Sequence, residues 1–232
     1  MEWNGAVSLN MANNEFTGSF PSEIGQLTNV LSLSFSKNSL TGTVPEEIKT
    51  LDNLETFNAN RNFVTGQLPD VFNGIFYLRS FDMALNFLTG TLPPTLLSET
   101  TLLERLDLSG NSLGQGLPLP EGLGQMISLK SLDLSTNTFV GTIPEAMGEM
   151  GSLIELRLDK NFLTGQLPTN MTGLSNIEIL SLSENFLSVL PTGLTSLTNL
   201  RELQLSTNSF DEVPEEYFNT FLNLGKFCGA NE

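Results

Sequence analysis

The segment "LKSLDLSTNTFVGTIPEAMG", residues 129–148, decides the fold because its pattern returns along the whole chain. When the repeats are aligned on its asparagine, they follow one another at intervals of 23 to 26 residues. A fixed period of this length is typical of a solenoid in which each repeat is one structural coil. The chain of 232 residues therefore holds about nine coils. The aligned asparagines are Asn14, Asn38, Asn62, Asn86, Asn111, Asn137, Asn161, Asn185 and Asn208.

Apolar residues keep the same phase as the asparagines. The positions five and three residues before each asparagine are apolar, as Leu132 and Leu134 are before Asn137. Alternation of this kind predicts a strand with one buried face. Another apolar residue follows two positions after the asparagine, and a turn with proline comes next. We therefore expect each coil to run through a strand, a turn and a short helical or extended return, and to bury its apolar side against its neighbours.

Two parts of the chain depart from this pattern. The fifth coil, "NSLGQGLPLPEGLG", contains extra residues, which we place near Leu119 and Pro120, so that a loop is expected to bulge there. The eighth and ninth coils, "NFLSVLPTGL" and "NSFDEVPEEY", lose the glycine and one residue. We expect curvature or twist to change in these last coils.

The asparagine column has a predicted structural role. Where the chain bends away from the strand, backbone groups would be left unpaired inside the protein, and an inward amide can serve both donors and acceptors of adjacent coils. The nine asparagines then form a ladder. Replacement of an inner member such as Asn137 by alanine is expected to cost about 1 to 3 kcal/mol.

Composition excludes several classes of function. The chain has 10 Lys and Arg against 26 Asp and Glu, a formal net charge of −16, which disfavours nucleic acid and anionic membranes. It has no histidine and one cysteine, Cys228, so we expect no enzymatic activity, no catalytic residues, no metal site and no cofactor. No apolar run is long enough for direct membrane insertion, and no targeting signal is present.

The aligned columns resemble the leucine-rich repeat family, in particular its plant-type subclass, whose repeats run L-x-x-L-x-L-S-x-N-x-L-[ST]-G-x-[IL]-P. The resemblance implies an α/β solenoid, a right-handed superhelix with a parallel β-sheet on its concave side and short helical or extended convex returns. We expect one leucine-rich repeat domain over residues 1–232, with repeats over 7–223. We expect residues 1–6 to be the remnant of an N-terminal cap, which they resemble, and residues 224–232 to be a truncated tail.

The same resemblance implies a function. Members of the subclass include ectodomains of receptor kinases and receptor-like proteins, so we expect a non-enzymatic recognition module that binds a protein or peptide, including a basic one, through its concave and lateral faces. It would lie at the cell surface or outside the cell if a parent protein supplies the signal, and the residues themselves leave a cytoplasmic place open. The alternatives are a structural, adhesive or cell-wall-associated protein, or an inhibitor of a secreted hydrolase.

Candidate binding residues occupy the outward positions of the strands and of the bends that follow them. Asp82, Asp107 and Asp133 fall in neighbouring coils and would stack about 4.8 Å apart, where a basic ligand or a cation could relieve their repulsion. The alternative is a solvated acidic face. The full set of candidates is Asn58, Arg61, Asp82, Arg105, Asp107, Asp133, Glu155, Arg157, Asp159 and Lys160.

Two further features lie outside this set. Phe63, Phe87, Phe162 and Phe186 follow the asparagine in four coils, where the family pattern demands no aromatic residue, so they form either a lateral contact patch or pairs that only stack on each other. Asn170 begins an N-x-T sequon, which is a glycosylation site if the chain is secreted. A column of threonines three residues after the asparagine could face ice or polysaccharide, although the family pattern already places Ser or Thr there.

Overall fold

The computed structural model describes residues 5–70, 72–97, 102–211, 217 and 226–228. The chain divides into two compact units, Met1–Gln115 and Gly116–Glu232, which we call unit 1 and unit 2. No helix among the described residues is long and apolar enough to cross a membrane.

Both units repeat the same order of elements, with short strands and with 3-10 helices (η) as the returns. The elements of unit 1 are β1 (Ser8–Asn10), β2 (Thr17–Ser19), η1 (Ser22–Gln26), β3 (Ser32–Ser34), β4 (Ser39–Thr41), η2 (Glu46–Thr50), β5 (Thr56–Asn58), β6 (Thr65–Gln67), η3 (Phe72–Gly74), β7 (Ser80–Asp82), β8 (Phe87–Thr89) and β9 (Arg105–Asp107). Those of unit 2 are η4 (Glu121–Gln125), β10 (Ser131–Asp133), β11 (Val140–Gly141), η5 (Glu145–Glu149), β12 (Glu155–Arg157), β13 (Phe162–Gln166), β14 (Ile179–Ser181), β15 (Phe186–Val189), η6 (Thr192–Ser196), β16 (Glu202–Gln204) and β17 (Lys226–Cys228).

The strands before the asparagines form a parallel sheet in each unit, with successive coils side by side. In unit 1 the order is β1, β3, β5, β7 and β9, and in unit 2 it is β10, β12, β14, β16 and β17. The apolar residue at the centre of each strand lies beside its copy in the next coil, as Phe57 does beside Phe81. The predicted solenoid of stacked coils with a parallel concave sheet is confirmed.

The segments after the asparagines form a second set of shorter parallel ladders on the flank of each unit. They pair β2 with β4 and β6 with β8 in unit 1, and β11 with β13 and β13 with β15 in unit 2. The glycine of the turn is needed here for two reasons, which Gly66 illustrates. Its φ is +78°, and an added Cβ would lie 2.8 Å from Cγ2 of Thr43 in the preceding coil. The glycine column therefore lets flank side chains of one coil lie across the backbone of the next.

The core of each unit consists of the inward apolar columns. In unit 1 it is rich in phenylalanine, and the ring of Phe81 stacks on Phe57 at 5.4 Å and meets Phe72 edge to face at 5.1 Å. In unit 2 the same columns are mostly leucine, and Leu132 and Leu158 are fully buried. Burial of these columns against adjacent coils is the main apolar stabilisation, because one coil cannot enclose its own apolar side.

Asparagine amides join neighbouring coils within each unit. The Oδ1 of Asn62 accepts a hydrogen bond from the backbone N–H of Leu40 in the preceding coil at 2.9 Å. Its Nδ2 donates to the carbonyl oxygens of Phe35, also in that coil, at 3.0 Å and of Ala59, in its own coil, at 3.1 Å. The same bonds to the preceding coil recur at Asn38, Asn86, Asn111, Asn161, Asn185 and Asn208.

The residue before each asparagine has a left-handed backbone. The φ values lie between +54° and +58° in all eight coils where this residue is not glycine, and Gly110 has a φ of +64°. This conformation is unfavourable for residues with a Cβ. The coil accepts it because only this bend turns the asparagine amide inward, where it bonds the backbone. The residues are Asn13, Lys37, Arg61, Leu85, Thr136, Lys160, Glu184 and Thr207.

The extra residues of the fifth coil lie elsewhere than the sequence predicts. Pro120, not Pro118, precedes the 3-10 helix, and Leu119 is buried in the core. The added residues are Gln115 and Gly116, since Gly114 N–H still bonds Gly90 O in the manner of other coils and Leu117 O already accepts from Val140 N–H. Three consecutive positive φ values, at residues 114–116, let the chain make this excursion. The expectation of a loop at Leu119 and Pro120 was therefore wrong.

The shortened eighth coil changes the flank ladder locally. Between β13 and β15 the register shifts, so that Gly165 pairs with Leu187 but Gln166 pairs with Val189. Ser188 is the residue passed over, and its Oγ donates to the carbonyl oxygen of Gly165 at 3.2 Å. The missing glycine is thus accommodated by a bulge in the flank.

The predicted subdivision of a single domain stays a prediction. Of the cap remnant over residues 1–6, residues 1–4 lie outside the described part of the chain. Of the tail over 224–232, the structure describes only residues 226–228, which form β17 beside β16. Pro214, the proline of the ninth coil, also lies outside the described residues.

Substitution of an inner asparagine should cost more stability than substitution of the first one. Asn62→Ala removes bonds to two coils and leaves buried backbone groups without partners, so we expect a loss of about 1 to 3 kcal/mol. Asn14→Ala is the matched control, since Asn14 is exposed and its amide donates only to carbonyls of its own coil. Urea denaturation of both variants measures the difference, and equal midpoints would contradict an inter-coil role.

Candidate functional site

The concave face of unit 1 carries a column of Asn and Asp at the ends of its strands. The side-chain oxygen of each accepts a hydrogen bond from the backbone N–H two residues further on: Asn58 from Asn60 at 3.0 Å, Asp82 from Ala84 at 3.1 Å. These bonds stabilise the bend between strand and asparagine. The acidic and amide residues of this column therefore have a local structural role in addition to any contact they make.

Asp82 is the most enclosed of these carboxylates. Only 8% of it is exposed, and its Oδ2 accepts a second bond from Asn60 Nδ2 at 2.7 Å. Burial raises the pKa of Asp82 above its ordinary value, and the neighbouring Asp107 adds to the rise, while the bonds from Ala84 and Asn60 oppose it. Oδ1 of Asn60 is buried without a hydrogen-bond partner. This pair lies at the floor of the concave face.

Further charged residues of unit 1 lie on or next to β9, next to the start of β7, and on the bend that follows β5. Asp107 is aligned with Asp82 across β7 and β9, and its Oδ2 lies 3.2 Å from Nη2 of Arg105. Arg79 pairs with Glu104 at 2.8 Å. Arg61 is exposed on the left-handed bend. The structure thus brings Asn58, Asp82, Arg105 and Asp107 together on three adjacent strands.

The concave face of unit 2 is organised around Arg157. Its Nε lies 2.6 Å from Oε1 of Glu155, and both side chains are more than two-thirds buried. Burial by itself lowers the pKa of Arg157, but the bond to Glu155 and the charges of Glu155, Asp133 and Glu202 raise it above its ordinary value. Arg157 is therefore paired with Glu155 and lies in the electrostatic field of Asp133 and Glu202. Asp133 is aligned with Arg157 across β10 and β12.

A second group of polar side chains adjoins this cluster. Asp159 Oδ1 accepts from the backbone N–H of Ser183 at 3.0 Å and from the hydroxyl of Ser181. Lys160, on the bend, pairs with Glu184 at 3.4 Å, and both are about half exposed. Sequence reasoning did not single out Glu202, Ser181 or Gln204, although they occupy the same outward columns as the chosen candidates.

The sequence predicts that Asp82, Asp107 and Asp133 stack and repel one another, but each of these carboxylates has hydrogen-bond partners within the protein. Oδ1 of Asp82, Asp107 and Asp133 each accepts a backbone N–H, at 2.9 to 3.2 Å. Asp82 and Asp107 stand side by side in unit 1, and Asp133 belongs to unit 2, beside Arg157. Across the described residues, no group of three or more His, Cys, Asp or Glu side chains is placed to hold a metal ion. The partners seen include backbone N–H groups for all three aspartates and, for Asp107, the guanidinium of Arg105.

The four flank phenylalanines form two stacked pairs, one in each unit. The ring centroids of Phe63 and Phe87 are 6.1 Å apart, and those of Phe162 and Phe186 are 6.3 Å apart. Each ring is about half exposed. Asn170 is exposed, and its Oδ1 accepts from the hydroxyl of Thr172 at 2.6 Å.

These observations define a class of protein: a leucine-rich repeat solenoid with preformed outward surfaces on rigid, hydrogen-bonded strands. A family model described as "Leucine rich repeat" matches residues 151–210, and a second, described as "Leucine Rich Repeat", matches residues 7–27, 29–51, 102–126 and 128–150. These matches together cover more than half of the chain, so the protein belongs to the leucine-rich repeat family. Members of this family are typically binding modules without enzymatic activity. No curated protein gives a significant sequence match.

Solved structures with the same fold include plant receptors. The leucine-rich repeat ectodomain of the membrane receptor kinase GASSHO1/SCHENGEN3 from Arabidopsis thaliana, in complex with CASPARIAN STRIP INTEGRITY FACTOR 2, is 31% identical, with a TM-score of 0.91 over 97% of this chain and 27% of that one. The plant peptide hormone receptor RGFR1 in complex with RGF2 is 27% identical, with a TM-score of 0.82 over 97% and 40%. A plant ice-binding protein is 28% identical, with a TM-score of 0.75 over 87% and 65%. The chain thus spans less than half of either receptor chain.

Removal of the Asp82 charge should stabilise the fold in a pH-dependent way. Because the folded pKa is raised, ionisation of Asp82 costs stability above that pKa, and the penalty is absent below the unfolded pKa of about 3.9. We expect Asp82→Asn to have a higher thermal midpoint than the wild type at about pH 7, with the gain disappearing as the pH falls to about 3. Asp107→Asn is the control, since it loses an ion pair with Arg105. A gain that does not change with pH would contradict this prediction.

Proposed function

We propose that the chain is the ligand-binding segment of a receptor-like or signalling protein and that its concave face binds an extended protein or peptide with basic side chains. The observation that carries this proposal is the polar cluster of unit 2, where Arg157 is bonded to Glu155 and lies in the electrostatic field of Asp133 and Glu202. Carboxylates at the outward positions of these strands complement a ligand with basic side chains. The net charge of −16 acts in the same direction at long range.

The rigidity of the site supports recognition. Glu155 is held by Arg157 and also accepts a hydrogen bond from Ser131 Oγ at 3.1 Å. Glu202 accepts a hydrogen bond from Gln204 Nε2. Side chains fixed in this manner lose little conformational freedom when a ligand arrives, which reduces the entropic cost of binding.

Comparison with the receptors gives further support. The receptor kinase ectodomain and the peptide hormone receptor described above were solved in complex with CASPARIAN STRIP INTEGRITY FACTOR 2 and RGF2, respectively. By this analogy we propose that the present chain takes a peptide or protein ligand outside the cell or at its surface. The basic character of the ligand is inferred from the charges of unit 2 and from the net charge of the chain, not from these receptors.

A displayed library of extended peptides tests the proposal. We expect the wild-type chain to enrich sequences rich in Lys and Arg, and the double variant Glu155→Gln, Glu202→Gln to bind them about tenfold more weakly or worse. The control Glu121→Gln, Glu149→Gln removes the same charge from exposed residues of η4 and η5. Enrichment without charge preference, or equal loss in the control, would refute the concave site.

Glycosylation of a secreted chain tests whether the predicted sequon at Asn170 can be used. Asn170 is exposed, so a chain passed through a eukaryotic secretory pathway should carry a glycan there, seen as a mass removed by an N-glycosidase. Thr172→Ala should abolish the added mass, and Thr172→Ser, which keeps the sequon, should retain it. A secreted wild-type chain without a glycan would show that Asn170 is not used.

A further inference from the structure

The stacked phenylalanine pairs of the flank have no role in forming the coil. Their position, directly after the asparagine, holds Ser39, Ser112 and Thr138 in other coils of the same architecture. Yet Phe63 and Phe87 are 49% and 55% exposed. Exposed aromatic rings that the fold does not require are candidates for contact with a partner.

The arrangement of unit 1 leaves the outer faces of its ring pair open. Phe63 and Phe87 lie with their planes 16° apart, so each covers one face of the other. In the coil before Phe63 the same position is Ser39, and in the coil after Phe87 it is Ser112. Neither serine is large enough to cover a phenyl face. Unit 2 repeats the pattern, with Phe162 and Phe186 inclined at 17°.

Polar groups run beside each ring pair on the same ladders. Thr65 and Gln67 follow Phe63 at alternate positions of the flank, and Thr164 and Gln166 follow Phe162 in the same order. Successive outward residues of a strand point to the same side, so rings, hydroxyls and amides share one surface. The Gln67 side chain lies across Gly90, where an added Cβ would be 2.7 Å from its Cγ.

We propose that this flank binds a neutral polysaccharide of extended β-linked pyranose units, such as a β-1,4-glucan. The apolar faces of pyranose rings suit the open phenyl faces, and their equatorial hydroxyls suit the adjacent Thr and Gln. This surface differs from the concave face of the proposed peptide site, so it adds a second contact.

Charge and size favour a neutral polysaccharide over three other ligands: a polyanionic polysaccharide, a second copy of this chain and a protein partner. A protein of net charge −16 repels polyanionic chains such as polygalacturonate, and it also repels a second copy of itself. Two rings in each unit make a smaller apolar patch than a stable protein interface requires. A polymer that contacts both rings and hydroxyls needs no wide apolar area.

Affinity gel electrophoresis in soluble β-1,4-glucan, with hydroxyethyl cellulose as the probe, tests the proposal. We expect retardation of the wild type and at least a tenfold lower affinity when Phe63, Phe87, Phe162 and Phe186 are all changed to alanine, which removes both ring pairs. The change of all four to tyrosine should keep the affinity, because it keeps the ring faces. Phe76→Ala, Tyr77→Ala is the matched control, since these two aromatic residues are exposed outside the flank ladders.

Several outcomes would overturn the proposal. They are the absence of retardation of the wild type, equal retardation in polygalacturonate, and an unchanged affinity of the alanine variant. Retention of full affinity when the same four phenylalanines are changed to leucine would show a general apolar contact, of the kind a protein partner makes. The variant Glu155→Gln, Glu202→Gln should bind the glucan like the wild type, so failure of the flank site and failure of the peptide site are separable.

Discussion

The asparagine amide is the interaction on which the rest of the structure depends. At the end of each concave strand the chain turns through a left-handed residue, which removes backbone groups from the sheet. One amide then satisfies a donor of the preceding coil and carbonyls of both coils, as Asn86 does with Val64 N–H, Ala59 O and Met83 O. Because the bonds join coils at a fixed offset, the repeat length cannot drift far. Every outward position is then placed by the ladder, and its side chain is free to vary.

Much of this could be predicted from the sequence because periodic apolar and asparagine columns directly reflect burial. The left-handed bend could not be predicted in the same way. Leu85, Thr136 and Glu184 do not favour that conformation, and they adopt it because tertiary hydrogen bonds override local preference. The sequence contained a weak indication of this bend, since Asn13 and Gly110, which occupy the same column, are residue types that tolerate positive φ.

The insertion in the fifth coil shows a second limit of sequence alignment. Two prolines, Pro118 and Pro120, are candidates for the same turn, and spacing from Asn111 favours the first. The structure selects Pro120, because this choice buries Leu119 and places the extra residues at Gln115 and Gly116, where two of the three consecutive positive φ values fall on glycine. Burial of one leucine thus decides a register that counting residues leaves ambiguous. The outward positions of the strands were correctly located by phase, but the environment of each side chain there depends on its neighbours in adjacent coils.

The concave face and the flank differ in chemistry for a physical reason. On the concave face, side chains of adjacent strands are close enough to bond one another, so charged residues there become partly buried in networks, as Glu155 and Arg157 do. On the flank, the glycine turn brings backbone near the surface, and large side chains stand out from it, as the phenylalanines do. A charged network favours ligands through complementary charge, whereas exposed rings favour ligands with apolar faces.

Arg157 limits what can bind beside it. A ligand carboxylate would have to displace Glu155 from a short, partly buried ion pair, and the acid released would stay inside a cluster that already contains Asp133 and Glu202. A ligand cation would not have to break that ion pair. Arg157 therefore acts as a fixed part of the surface that orients Glu155, which is why we propose a basic and not an acidic ligand.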